Sequence, residues 1–352
     1  MKNFIFYGVL GGLFALTLKI LNNLDINKAV FSHRPGNCKY IQGVDHGSED
    51  MALLSNGLVL ITSGVYLSAI PVVGQRAVGR GRIFLFDPKS PKLLAEELKI
   101  SGGLPDNFHP AGIKVWEEKN EIFVYVIDSY DSMIHFYSLS ISKKTLTLKK
   151  TANSPLLTHA NNLAVVAKDQ FYISNYAYFR HPALLTAELS LQLSLGSVIY
   201  YDGNNFHLTA AGLKGPNGLL LSKDKKYLYV ALALEETLQV NKIFPNKSIE
   251  LIKEVPLFTG PDNLSMDSEG KIWIGAHPII YELIMHIRNP QYYTAPSQVL
   301  KLSFTKSDHS EWEIEEVLSD SGKLLKAATV AVPLPGKFLV GTLFDKAAVC
   351  EL

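Results

Sequence analysis

The chain has 352 residues, a formal net charge of +1 and a hydrophobic content of 47%. The near balance of charge excludes the basic surface that nucleic-acid binding requires, and so large an apolar share excludes a disordered chain. No Gly/Ser-rich or Pro-rich linker interrupts the sequence, so one domain is expected behind a short N-terminal segment.

Lys2 precedes an apolar run from Phe4 to Leu18, the length of a secretory signal and marginal for a membrane span. Thr17-Leu18-Lys19-Ile20 is a poor cleavage site. An uncleaved signal anchor over residues 1–24 is therefore expected, in preference to a removed peptide or a helix buried in the domain. The rest of the chain would then lie in the secretory pathway. It would be anchored at the endoplasmic reticulum or plasma membrane, or secreted with its signal retained and seated on a lipid particle. Cys38 and Cys350 are the only cysteines and stand near the two ends of the folded part. They are two free thiols or, as an oxidising compartment favours, one disulfide joining the ends. Asn246-Lys-Ser is a glycosylation sequon in a polar stretch. Asn263-Leu-Ser matches the same pattern, but its Asn is assigned elsewhere below.

A repeat runs through the remainder. Blocks opening at Glu49 (EDMALLSNGLVLITSG), Ala111, Asn161 (NNLAVVAKDQFYISN), Asn217 (NGLLLSKDKKYLYVA), Asp262 (DNLSMDSEGKIWIGA) and Ala328 superimpose. Each is an alternating strand, a polar turn and a second strand rich in aromatic and β-branched residues. Six units about 45–65 residues apart, with further strands between them, predict an all-β, six-bladed propeller over residues 37–352. The period-2 alternation excludes a helical solenoid. In a propeller the first and last blades are neighbours, so a Cys38–Cys350 bridge would close the ring.

The start of each innermost strand faces the central tunnel. Equivalent positions are Glu49, Ala111, Asn161, Asn217, Asp262 and Ala328, and the next position adds Asp50, Asn162 and Asn263. One Asn or Asp at a strand entrance is usually a turn residue. Four in register across separate blades form an oxygen-only donor set, which suits a hard cation, and Ca²⁺ better than Mg²⁺.

From about Asn37 to Leu352 the chain resembles the serum paraoxonase/arylesterase family of six-bladed propellers. The landmarks are GSED, ANN, PNG, PDNLS, GAHP and the C-terminal VGTLF-K--CEL, in that order. The resemblance implies a hydrolase of lactones and aryl esters. It implies two calcium ions per chain: a catalytic one held by Glu49, Asn161, Asn217, Asp262 and Asn263, and a structural one held by Asp50, the carbonyl of Ile113 and Asn162. Family members usually carry Asp at the last position, so a formal charge is missing there. Cys38 and Cys350 match the family's disulfide, and the family's further free cysteine is Ala276 here. The catalytic histidine dyad is not retained. Ala111 replaces the first imidazole, Ser129 the second, and His109 lies two residues away from the first position. Asp262 is then the candidate for activating water and His277 the candidate pocket histidine. His135, His159 and His181 are read as surface or packing residues.

Two functions follow. One is calcium-dependent hydrolysis of a small-molecule ester or lactone. The other is a catalytically degenerate, membrane-anchored binding or chaperone module whose clients are membrane proteins, as some dyad-lacking relatives are. The stretch from His181 to Leu195 reads as a helix that touches a membrane or lies on the propeller.

Overall fold

The computed structural model describes residues 2–64 and 80–352. Six sheets follow one another along the chain. Blade one is built from Met51–Leu53, Val59–Ser63, Arg82–Phe86 and Ala95–Glu97, and blade two from Pro110–Glu118, Glu121–Asp128, Met133–Ser140 and Thr145–Ala152. Blade three opens with Ala160–Ala167, blade four with Pro216–Leu221, blade five with Gly260–Met266 and blade six with Ala328–Leu334. Within each blade the strands pair antiparallel in sequence order. Blade two gains a fifth strand, Lys99–Ser101, parallel to its outer edge. The opening strands lie side by side around the axis.

The period-2 pattern explains the layering. Alternate side chains of each blade enter the gap toward one neighbour or the other, so every gap becomes a separate apolar seam. Phe84, Phe86, Val330, Val332 and Val349 pack between blades six and one. Tyr125, Phe136, Phe171 and Tyr201 pack between blades two and three. Closure is as the sequence predicts. Cys38–Tyr40 is the outer strand of blade six and pairs antiparallel with Ala348–Glu351. Cys38 stands directly opposite Cys350 and is disulfide-bonded to it.

Among the described residues three helices accompany the ring: α1 (Lys2–Asn23), α2 (Pro182–Ser190) and α3 (Ile280–Arg288). Helix α1 exposes Leu10, Leu13, Phe14, Leu16 and Leu18. Among the described residues no helix is long and apolar enough to cross a membrane. The helix expected from His181 to Leu195 is shorter than that. Gln192 takes a left-handed φ of 50°, and the amides of Gln192 and Leu193 turn back to the carbonyls of Leu189 and Glu188. This Schellman-type stop ends the helix without a glycine. Asn246 lies exposed in the turn before Ile249–Pro256, where its Oδ1 accepts from Ser248. Asn263 is fully buried, so the second sequon lies inside the core.

A candidate metal centre on the propeller axis

What brings the predicted residues together is a repeated irregularity. In blades two to five the register of the opening strand slips between Pro110 and Ile113, Ala160 and Leu163, Pro216 and Leu219, and Pro261 and Leu264. Each slip places one extra residue in the opening strand, a β-bulge. The bulged pairs are Ala111-Gly112, Asn161-Asn162, Asn217-Gly218 and Asp262-Asn263. In a regular strand adjacent side chains point to opposite faces. The bulge breaks that rule, which lets consecutive residues serve one site. Glycines let the strands close on the axis. A Cβ on Gly218 would stand 2.4 Å from the Asp262 carbonyl oxygen, and one on Gly112 would stand 2.7 Å from that of Asn161.

Glu49, Asn161, Asn217 and Asp262 meet at the floor of one cavity. Glu49 Oε2, Asn161 Oδ1, Asn217 Oδ1 and Asp262 Oδ1 are buried there without a hydrogen-bond partner. A buried acceptor without a donor costs about 1–3 kcal/mol, and more for a carboxylate, so four together are not a stable arrangement of protein alone. Burial pushes the Glu49 carboxyl well above the usual range, and the Asp262 and Asp50 carboxylates push it further. Burial also raises Asp262, against the pull of His277. Those four oxygens face no donor, and a hard cation would accept their lone pairs and offset the clustered carboxylate charge. Asn263, the fifth expected ligand, donates its amide to the Glu49 carbonyl at 2.9 Å and to Oε1 at 3.1 Å, while its Oδ1 accepts from Asn162 at 2.5 Å. Its oxygen is therefore engaged, unlike those of the other four expected ligands. Among the described residues no three His, Cys, Asp or Glu form a metal cluster. The donor set is two carboxylates and two amides.

The second expected set is different. Asp50 Oδ2 accepts from the Ile113 amide at 3.0 Å, from Asn162 Nδ2 at 3.1 Å and from Lys114 Nζ at 2.5 Å, and Oδ1 accepts from Met51 N. Asn162 Oδ1 accepts from Leu163 N. No side-chain oxygen of Asp50 or Asn162 is left without a donor, so these residues as placed do not fit a second ion.

Above the floor the cavity, about 180 Å³ in volume, is walled mainly by apolar side chains. Ala160, Ala233 and Leu234 come from the ring, and Ile280, Leu283 and Ile287 from α3. Helix α3 was not foreseen, although apolar residues at 280, 283, 284 and 287 have helical spacing and Asn289-Pro290 marks the stop. Asn23 and Leu24 also reach the lining, from the end of α1. Ala111 and Ser129 line the same cavity, and Ser129 Oγ donates to the His109 carbonyl. His277 is 4% exposed, and its Nε2 is hydrogen-bonded to Asp262 Oδ2 at 2.8 Å. His135 and His159 are buried, the first beside Asp128 at 3.3 Å, and His181 is exposed at the start of α2.

Comparison with known proteins gives a consistent result. The arylesterase family profile matches residues 30–352. Serum paraoxonase/arylesterase 2 of Homo sapiens is 31% identical over 362 residues, covering 100% of both chains. Serum paraoxonase/lactonase 3 of Oryctolagus cuniculus is 32% identical over 323 residues, 90% of this chain and 89% of that one. Among solved structures, a gluconolactonase from Xanthomonas campestris superimposes with a TM-score of 0.55 at 15% identity, covering 90% of each chain. The calcium-binding protein regucalcin from Agrobacterium tumefaciens does so with a TM-score of 0.54 at 11% identity, covering 91% of this chain and 95% of its own. At such identities these structures share the fold.

Proposed function

Since the chain belongs to the arylesterase family, we propose that it is a calcium-dependent hydrolase of small aryl esters or lactones, its ion held by Glu49, Asn161, Asn217, Asp262 and Asn263. The observation that carries this reading is the set of four unpartnered buried oxygens at the floor of an apolar cavity. Bound calcium supplies the charge that polarises a carbonyl and stabilises the oxyanion formed from it. The side chains of Ala160, Leu234 and Ile280 exclude water and hold the apolar part of the substrate. A cavity of about 180 Å³ is small beside ordinary ligand pockets and suits one ring or a short acyl chain. The Asp262–His277 pair takes the proton from an attacking water as the new C–O bond forms. It returns the proton to the alcohol or phenol oxygen as the old bond breaks.

The rest of the proposal concerns place. The exposed apolar face of α1, with Leu184 and Leu193 exposed near α2, supports seating on a membrane or lipid particle in the secretory pathway. The exposed sequon at Asn246 supports glycosylation there.

A second reading has its own observation. Ala111 and Ser129 occupy the cavity wall where the resembling family carries imidazoles, and loss of a general base typically removes a factor of about 10²–10⁴. On this reading the anchored propeller is a binding or chaperone module for membrane proteins. A panel of lactones and aryl esters on the purified full chain, with and without chelator, separates the two when calcium content is measured in parallel. Chelator-sensitive turnover that Asp262→Ala abolishes supports the hydrolase. Bound calcium without turnover supports the binding module.

A further inference from the structure

We infer that Lys114 is a tethered cation standing in for the second calcium, so that the chain carries one divalent ion rather than two. The inference goes beyond the proposed hydrolase and takes from the family only the location of the second site.

Three observations carry it. The first is geometric. Lys114 Nζ lies 2.5 Å from Asp50 Oδ2, and the Asp50 carboxylate is fully buried while 18% of the Lys114 side chain is exposed. The ammonium reaches the same carboxylate oxygen that accepts from the Ile113 amide and from Asn162 Nδ2. The second is the contrast between neighbouring donor sets. The central set leaves four oxygens without donors, whereas no side-chain oxygen of Asp50 or Asn162 is among the buried unpartnered atoms. Asn162 turns its nitrogen to Asp50 and to Asn263 and gives its oxygen to a backbone amide. An amide nitrogen aimed into the site repels a metal, while it complements a carboxylate already neutralised by a lysine. The third is charge. Glu49, Asp50 and Asp262 are buried together, and Lys114 supplies one positive charge among them. Three carboxylates against one ammonium leave two negative charges, which one divalent ion cancels. A second divalent ion would leave the buried floor with a net positive charge and without the carboxylate to hold it.

The consequence is a division of labour. The junction of blades one, two and three is held by a permanent cation on the strand Pro110–Glu118, so calcium is needed at the centre and not for the ring.

The test is metal stoichiometry on the purified full chain, with calcium as the probe, measured by equilibrium dialysis and elemental analysis, with circular dichroism to confirm folding. Lys114→Ser combined with Asn162→Asp should take up one more calcium per chain than wild type. Its melting temperature should become more sensitive to chelator than that of wild type. Lys114→Ser alone provides a milder version if the pair folds poorly. It should lower the melting temperature by the same amount with calcium and with chelator. Asp262→Asn should lose the ion that wild type holds. Two ions in wild type, one ion remaining in Asp262→Asn, or no gain in the double variant would each overturn the inference. Should wild type hold none while the double variant holds one, Lys114 still replaces the second ion, but the single ion inferred for wild type and the central-site reading both fall.

Discussion

Replacing both cysteines by alanine tests the closure of the ring quantitatively. Cys38 and Cys350 are 312 residues apart. In the chain-entropy treatment, opening a loop of that length restores conformational freedom to the unfolded chain worth about 5–6 kcal/mol at 25 °C. Cys350 is fully buried, so trimming its sulfur adds about 1 kcal/mol at most for the small void. Unfolding entropy is about 2.1 cal/mol/K per residue, so a propeller of roughly 315 residues loses about 0.7 kcal/mol of stability per degree near its midpoint. Cys38→Ala/Cys350→Ala should therefore melt about 8–10 °C below the oxidised wild type. Calorimetry of the two proteins, each with and without reductant, is the assay. The variant should be indifferent to reductant, and reduced wild type should approach it. A drop smaller than about 2 °C would show that the unfolded chain is already restricted by other means and that the entropic argument fails.

Gly218→Ala should cost about 1–3 kcal/mol, because its Cβ would meet the backbone of Asp262 and Asn263 at 2.4 and 2.8 Å. Calcium titration calorimetry should show weaker binding alongside the lower melting temperature, and an unchanged affinity would separate packing from the site. Acidification offers a second check. Burial raises the Glu49 and Asp262 pKa values in the folded state, so these groups favour folding below the unfolded carboxylate range of about 4. That contribution is lost as pH rises through the higher folded values. Chelated protein should accordingly gain melting temperature between pH 7 and pH 5, while calcium-loaded protein should not, and parallel pH profiles would refute it. Restoring imidazoles with Ala111→His and Ser129→His should raise ester or lactone turnover by up to about 10²-fold, the lower end for a general base. Chelator-sensitive initial rates on the same panel are the measurement, and no gain would show that the neighbouring groups no longer support a base there.

The propeller was legible because its defining signals are local. An alternating strand, a polar turn and an aromatic-rich strand recur in each unit, and a polar oxygen stands at the entrance of most. That pattern alone is enough to place Glu49, Asn161, Asn217 and Asp262 around one axis. The bulges were not legible, since an inserted residue leaves no mark when both bulged residues are ones a turn could also use. Lys114 gave no warning either. It occupies an ordinary strand position, and its partner Asp50 is 64 residues earlier in the sequence. Helix α3 left a clear helical spacing, but it sits between two strands of one blade, where a repeat-based reading looks for strands.

The N-terminal segment does more than lead into the ring. Asp25 accepts the Ile280 amide through its carboxylate, the Leu24 carbonyl accepts that of Tyr281, and Lys28 bridges Asp25 to Glu236 at 2.8 and 2.6 Å. The start of α3 is thus pinned by residues that precede the first blade, and α3 is the roof of the cavity. A chain shortened to begin at Cys38, the first strand of the ring, would lose Asn23, Leu24 and Asp25 together. The start of α3 would then lack both of these hydrogen bonds, so rates measured on that chain should differ from those of the intact one. In the full chain, any displacement of α1 is passed to the start of α3 through the Leu24 carbonyl and the Asp25 carboxylate.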